Sequence, residues 1–115
     1  VVGHRPLETY EKTKIGEEWS GMNELQAIIC DQVEYYVAGH AHVLEDNGSI
    51  GSCSVRQLVS GSAGAFPRTV QQPHPGNFAY EESGFLTMDL KDKQVKATFF
   101  NDQGVELYQH SQRYQ

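Results

Sequence analysis

Five histidines stand in the sequence, and three of them sit where short β-branched runs stop at glycine. His4 follows Val1-Val2-Gly3, while His40 and His42 follow Tyr36-Val37-Ala38-Gly39. Neutral imidazole is the commonest metal ligand, binding zinc at about 2.0–2.1 Å and also suiting iron and related ions. Residues two apart in extended backbone point the same way, so the His40-Ala41-His42 spacing aims two rings toward one site. Gly3 and Gly39 are expected to leave space beside those ligands. A lone histidine at a strand end is ordinarily a hydrogen-bonded structural residue, but two Gly-His motifs on separate strand tips favour a shared metal. His4, His40 and His42 are therefore the candidate metal ligands, and three histidines plus water also suffice for a single-zinc hydrolytic site. His74, between Pro73 and Pro75, and His110, near the end of the last strand, read as surface residues; His74 is a candidate for substrate contact.

The elements that must position these rings follow from periodicity. Met22, Leu25, Ile29 and Val33, with Ile28 and Tyr36 on the same face, predict a helix over about residues 22–34, capped by Ser20 or Asn23. Before it, residues 8–18 are polar and unpatterned and predict a surface loop. After it, Tyr35–Ala38 predicts a short strand. Glu45-Asp46-Asn47-Gly48-Ser49 reads as a turn leading to a strand near Val55–Ser60, and 65–82, with three prolines, reads as a long loop bordering the substrate cleft. Leu86, Met88 and Leu90, then Val95, Ala97 and Phe99, then Val105 and Leu107 alternate. They predict an antiparallel meander over 85–110, with turns at Lys91-Asp92-Lys93 and Asn101-Asp102-Gln103-Gly104. The order predicts a layered α/β fold.

Length and charge bound the function. A chain of 115 residues predicts one domain, or part of one, spanning 1–115. With net charge −6 and no cluster of Lys and Arg, a nucleic-acid partner or an anionic membrane surface is not expected. No apolar run reaches the length of a membrane span. Phosphate-bearing substrates stay open, because a bound cation reverses the local field of an acidic protein. Cys30 lies in an apolar helical pattern and neither cysteine belongs to a Cys-x-x-Cys pair, so buried free thiols are expected rather than a disulfide. The opening Val1-Val2 reads as the end of a buried strand, which predicts further residues before it.

Taken in order, Val1-Val2-Gly3-His4-Arg5-Pro6, Ala38-Gly39-His40-Ala41-His42 and Leu58-Val59-Ser60-Gly61-Ser62-Ala63-Gly64 resemble the last blocks of calcineurin-like metallophosphoesterases. Within that superfamily, Phe78-Ala79-Tyr80, Gly84-Phe85-Leu86 and the run from Val95 to Tyr108 are similar to purple acid phosphatases of the tartrate-resistant type. The resemblance covers nearly the whole chain. It implies the carboxyl-terminal half of a four-layer α/β/β/α sandwich ending in a meander. It also implies a two-metal centre, iron with zinc, manganese or iron, that hydrolyses phosphomonoesters. His4 and His40 would then hold one ion and His42 the other. Gly61 and Gly64 would shape the site, and the location would be secreted or endomembrane.

Departures from that pattern matter as much. The blocks that supply the family's bridging aspartate and remaining ligands are absent, and neutral imidazoles cannot balance two multivalent cations. The amino-terminal half of the same protein, or a second chain, is expected to complete the centre, leaving this chain alone inactive. The further histidine that many purple acid phosphatases use to protonate the leaving group is replaced by Tyr10-Glu11-Lys12-Thr13-Lys14, so the proton donor is not identified. Lys12 or Lys14 is a candidate phosphate contact. A non-catalytic, metallophosphoesterase-like binding module is the alternative from a different functional class.

Overall fold

The computed structural model describes residues 1–17 and 21–114. Its elements run α1 (Met22–Ile29), β1 (Tyr35–Ala38), β2 (Leu44–Ser49), β3 (Arg56–Ser60), β4 (Phe78–Tyr80), β5 (Gly84–Lys91), β6 (Gln94–Asn101) and β7 (Glu106–Arg113). Strands β1 and β3 run parallel, with Tyr35 opposite Arg56 and Ala38 opposite Val59. β2 joins β3 antiparallel and β4 joins β2 antiparallel, giving a first sheet of order β1-β3-β2-β4. β5-β6-β7 form a second, antiparallel sheet.

Period-two patterning explains how the layers meet. Val95, Ala97 and Phe99 on one face of β6 pack against Tyr35, Leu44 and Leu58 of the first sheet. Leu86 and Met88 of β5 join them. On the other face of the first sheet, Ile29 and Leu25 of α1 cover Tyr36, Ala38 and Val55. Leu44, Leu58 and Phe99 are wholly buried, and each such side chain contributes about 1.5–3 kcal/mol by leaving water. The chain is thus α/β in three layers, helix, sheet and sheet, ending in the expected antiparallel meander. Its first turn places Asp92 and Lys93 at φ 51 and 64, the two positive values of a type I′ hairpin.

Several expectations are corrected. The helix stops at Ile29 rather than 34, because Cys30 turns extended and Asp31 adopts φ 59. Cys30 is bonded to Cys53, so the free-thiol expectation fails. The apolar pattern around Cys30 reflected the helix flank, while its partner lay on a different element. Gly21, not Asn23, occupies the N-cap position, and Ser20 lies outside the described residues. Ile28 is 70% exposed, since so short a helix buries only the Leu25–Ile29 seam. Glu45–Ser49 belongs to β2 instead of forming a turn. The Asp-Asn-Gly signal is spent on a bulge between Asp46 and Gly48, where the Gly48 N–H donates to Asp46 Oδ1 at 3.0 Å. Phe78–Tyr80 of the long loop is a strand. Val1 and Val2 are exposed; Val2 bridges Val37 at the outer edge of the first sheet.

The 8–17 segment is also not a free surface loop. Glu11 is fully buried and forms an isolated bridge with Val70, and the Lys12 N–H donates to the Thr69 carbonyl at 2.8 Å. No helix among the described residues is long and apolar enough to cross a membrane.

Candidate functional site

Backbone pairing brings the first two histidines together. The Gly3 N–H donates to the Val37 carbonyl at 2.9 Å, and the Gly39 N–H donates to the His4 carbonyl at 2.9 Å. The chain around residue 4 is thereby laced to the end of β1, and the His4 and His40 rings meet with centroids 5.0 Å apart at 62°. Two imidazoles bound to one ion at zinc-like distances place their centroids about 5 Å apart.

His40 is not extended. Its φ is 64, and the Ala41 N–H donates back to the Gly39 carbonyl at 2.7 Å. The rule that alternate residues point together therefore does not govern His40 and His42. The His42 Nδ1 lies 3.0 Å from the Phe66 carbonyl and 3.4 Å from Arg68 Nε. A carbonyl can only accept, so at the shorter contact Nδ1–H donates to it, which leaves Nε2 as the ring's acceptor nitrogen.

Beside His40 opens a cleft of about 260 Å³, lined by Pro6–Tyr10, Lys14–Glu17 and His40. Glu17 lies between two basic groups, its Oε1 3.7 Å from Lys14 Nζ and its Oε2 3.7 Å from His40 Nε2. Burial holds the His40 pKa below its ordinary value. The nearby positive charges of Lys14, His4 and Arg5 push it the same way, against a smaller upward pull from Glu17. Tyr10 donates its hydroxyl to Glu8 Oε1 at 2.7 Å; that bond, then burial, pushes its pKa up to about 12. It stays a neutral phenol at any working pH, a donor rather than a base.

No family model and no curated protein matches this chain. Among solved structures, it is similar to a single-site mutant of Vps29 from Entamoeba histolytica, at 17% identity and a TM-score of 0.47. The match covers 92% of this chain and 53% of that one, so the chain spans about half the length of that structure. A likeness of that degree carries no conclusion about fold or function.

How well the residues suit the metals implied by the purple-acid-phosphatase resemblance is decided by the donors present. The His4 and His40 rings lie edge to face with centroids 5.0 Å apart, and the His42 ring is oriented by the Phe66 carbonyl. Yet among the described residues no group of three or more His, Cys, Asp or Glu is arranged to hold a metal. Among the described residues, the two neighbouring imidazoles of His4 and His40 are joined by no carboxylate in a metal-holding group.

The remaining candidates sort on contacts. His74 is not a surface residue. Its Nε2–H donates to Glu45 Oε2 at 2.8 Å and its Nδ1 accepts the Gly76 N–H at 3.1 Å. The Glu45 carboxylate, wholly buried, also accepts the Thr9 hydroxyl at 2.5 Å and the Tyr10 N–H at 3.1 Å. His74 thus braces the cleft wall from behind. His110 is likewise drawn inside, with Nε2 buried. Lys12 is exposed and outside the cleft lining, whereas Lys14 lines it. Gly3 and Gly61 are required by close approach: a side chain at Gly3 would collide with the Tyr36 hydroxyl, and one at Gly61 with the Ala41 carbonyl. Gly39 has ordinary room for a methyl group and Gly64 has open space, so neither is needed on steric grounds. The 65–82 loop borders His42 rather than the cleft beside His40, which the 6–17 segment lines. Glu17 was not anticipated, and only its spacing of three from Lys14 hinted at a shared surface.

Proposed function

We propose that this chain supplies the imidazole side of a two-metal phosphoesterase centre of the calcineurin-like, purple-acid-phosphatase type. In this reading His4 and His40 hold one ion and His42 the other. The metals are iron with zinc, manganese or iron, and the substrate is a phosphomonoester. One observation carries the reading: two Gly-His segments far apart in sequence, tied by the Gly39 N–H to His4 carbonyl bond, set their rings 5.0 Å apart. When bound, the ions supply a hydroxide nucleophile near neutral pH and neutralise phosphoryl charge. This chain's residues hold and orient. The Phe66 carbonyl fixes the His42 tautomer, and the Gly39–Ala41 turn fixes His40. The anionic ligands come from the amino-terminal half of the protein or from a partner chain. The Cys30–Cys53 disulfide supports an oxidising location such as the secretory route.

The test uses the intact protein with its completing half. Metal analysis is expected to find bound iron or zinc in whole-number stoichiometry, together with hydrolysis of p-nitrophenyl phosphate. His40→Ala and His42→Ala are each expected to lose metal and at least about 100-fold in rate, a loss at the upper end of what even a single supporting residue of a metal site costs. Undiminished metal and turnover in both variants would reject the assignment. A metal-free, inactive wild type would favour a binding module instead.

A further inference from the structure

We propose that the outer edge of β7 is an interface between two copies of this chain, which pair antiparallel there about a two-fold axis at His110 and join their meanders into one continuous sheet. The inference stands apart from the phosphoesterase reading, since none of the residues lining the cleft beside His40 belongs to β7.

An unpaired strand edge presents a row of backbone N–H and C=O groups that another strand can complete. Proteins blunt such edges with charges, prolines, bulges or short strands. The edges of the two sheets differ in this respect. In the first sheet, β4 at one end has three residues, and β1 at the other is flanked by Val2. In the second, β5 carries Asp89 and Lys91 along its length. β7, at the opposite end, runs from Glu106 to Arg113 with no proline and no Asp, Glu, Lys or Arg between those two. Its bulge falls at the start. Tyr108 stands opposite Phe99 and Glu106 opposite Phe100, so Leu107 is passed over and Tyr108–Arg113 forms a regular run.

Side-chain direction sets the register. Residues directly opposite in an antiparallel pair lie on one face, so a two-fold pairing matches positions an even number apart. Tyr108 and His110 turn toward the core, whereas Gln109 and Ser111 line the outer face beside Lys96. An axis at His110 keeps to the regular run. It sets Gln109 against Ser111 of the second copy and Tyr108 against Gln112 of the second copy, all uncharged. It also brings Glu106, at the start of one β7, beside Arg113 at the end of the other. A two-fold interface repeats every contact, so opposite charges meet at both ends. An axis one residue later would separate them.

Sedimentation of the intact protein over a range of micromolar concentrations tests the interface, with Glu106→Arg, Arg113→Glu, their double variant and Gln109→Lys, all at exposed positions. An interface built on one strand pair falls in the small class, under about 1,200 Å², so a dimer that dissociates on dilution is expected. Each single reversal sets like charges together at both ends and is expected to weaken the dimer about tenfold, while the double variant restores it by exchanging the signs. Gln109→Lys adds a charge to the middle of the edge and is expected to weaken the dimer whatever happens at the ends. Circular dichroism spectra and urea midpoints matching the wild type's show that the variants are folded. A wild type that stays monomeric overturns the proposal. So does a dimer indifferent to Gln109→Lys and to the single reversals, or one that the double variant fails to restore. A monomer whose β7 amides resist hydrogen exchange overturns it too, and assigns the edge to another segment of the protein.

Discussion

At the residue scale, the protein handles charge between its sheets by pairing it. Asp46 is wholly buried on β2, where Arg56 grips it through Nε at 3.0 Å and Nη2 at 2.7 Å, and the Tyr108 hydroxyl donates to Oδ2 at 2.9 Å. His110 lies beside this group without sharing in it. Its Nε2 is buried and has no hydrogen-bond partner among the described residues, and its ring meets the Tyr35 ring at 6.2 Å. Burial, then the Arg56 charge, holds its pKa below the ordinary value, against weaker upward pulls from Asp46 and Gln112. The unfolded chain therefore takes up a proton at higher pH than the folded one does. The stabilisation is fully present above the ordinary histidine value of about 6.5 and is lost as pH falls through that value toward the lowered one. His40 adds a loss of the same sign. Urea midpoints measured in steps from pH 7.5 to 5 are expected to decline in the wild type and to decline less steeply in His110→Phe, which keeps a ring without a titrating nitrogen. Equal slopes would show that His110 is not the group responsible.

At the element scale, what was legible in the sequence is what obeys local periodicity. The meander, β1 and β3 follow from alternation, and α1 follows from Leu25 and Ile29. What stayed hidden was settled by partners distant in the chain. Glu45 and Asp46 read as turn residues because buried carboxylates are rare, and nothing near them in sequence announces Thr9, His74, Arg56 or Tyr108. The pairing of His4 with His40 was readable as two motifs. That the β1–β2 turn sends the His42 ring toward Phe66 was not, because it depends on the left-handed residue at His40. The disulfide was hidden for the same reason. Cys30 ends α1 and Cys53 precedes β3, 23 residues apart, and Asp31 reinforces the junction by accepting the Ser54 N–H at 2.9 Å. Closing a loop of that length stabilises by about 3 kcal/mol in the chain-entropy account. Cys30→Ala/Cys53→Ala is expected to lower the unfolding free energy extracted from urea titrations by about that amount, moving the midpoint down, while leaving hydrolysis by the intact protein unchanged. The bond pins α1 to the face of the first sheet that Tyr36 and Val55 occupy, and none of the cleft-lining residues belongs to α1. An unchanged midpoint would mean that packing alone holds the helix.

At the scale of the whole molecule, the site rests on a sheet that shares its core with the meander. β1 carries His40 at its end and turns Tyr35 into the core shared with β6. Phe78 of the first sheet stacks on Tyr108 of β7 at 4.6 Å and 9° and meets Phe99 of β6 at 5.1 Å. Tyr108 in turn reaches back to Asp46, so aromatic and polar links cross the same interface. Phe99→Ala would empty the centre of that layer at a cost of about 3–5 kcal/mol, a large part of the roughly 5–15 kcal/mol that holds a domain of this size. Because both sheets share the core, they are expected to melt together. Far-ultraviolet circular dichroism and the aromatic near-ultraviolet signal should give coincident urea transitions, in the wild type and, at lower urea, in the variant. Separate transitions, with the first sheet outlasting the meander, would mean that β1 keeps His40 in place unaided. The meander would then be an appendage rather than the support on which the pairing of His4 with His40 rests.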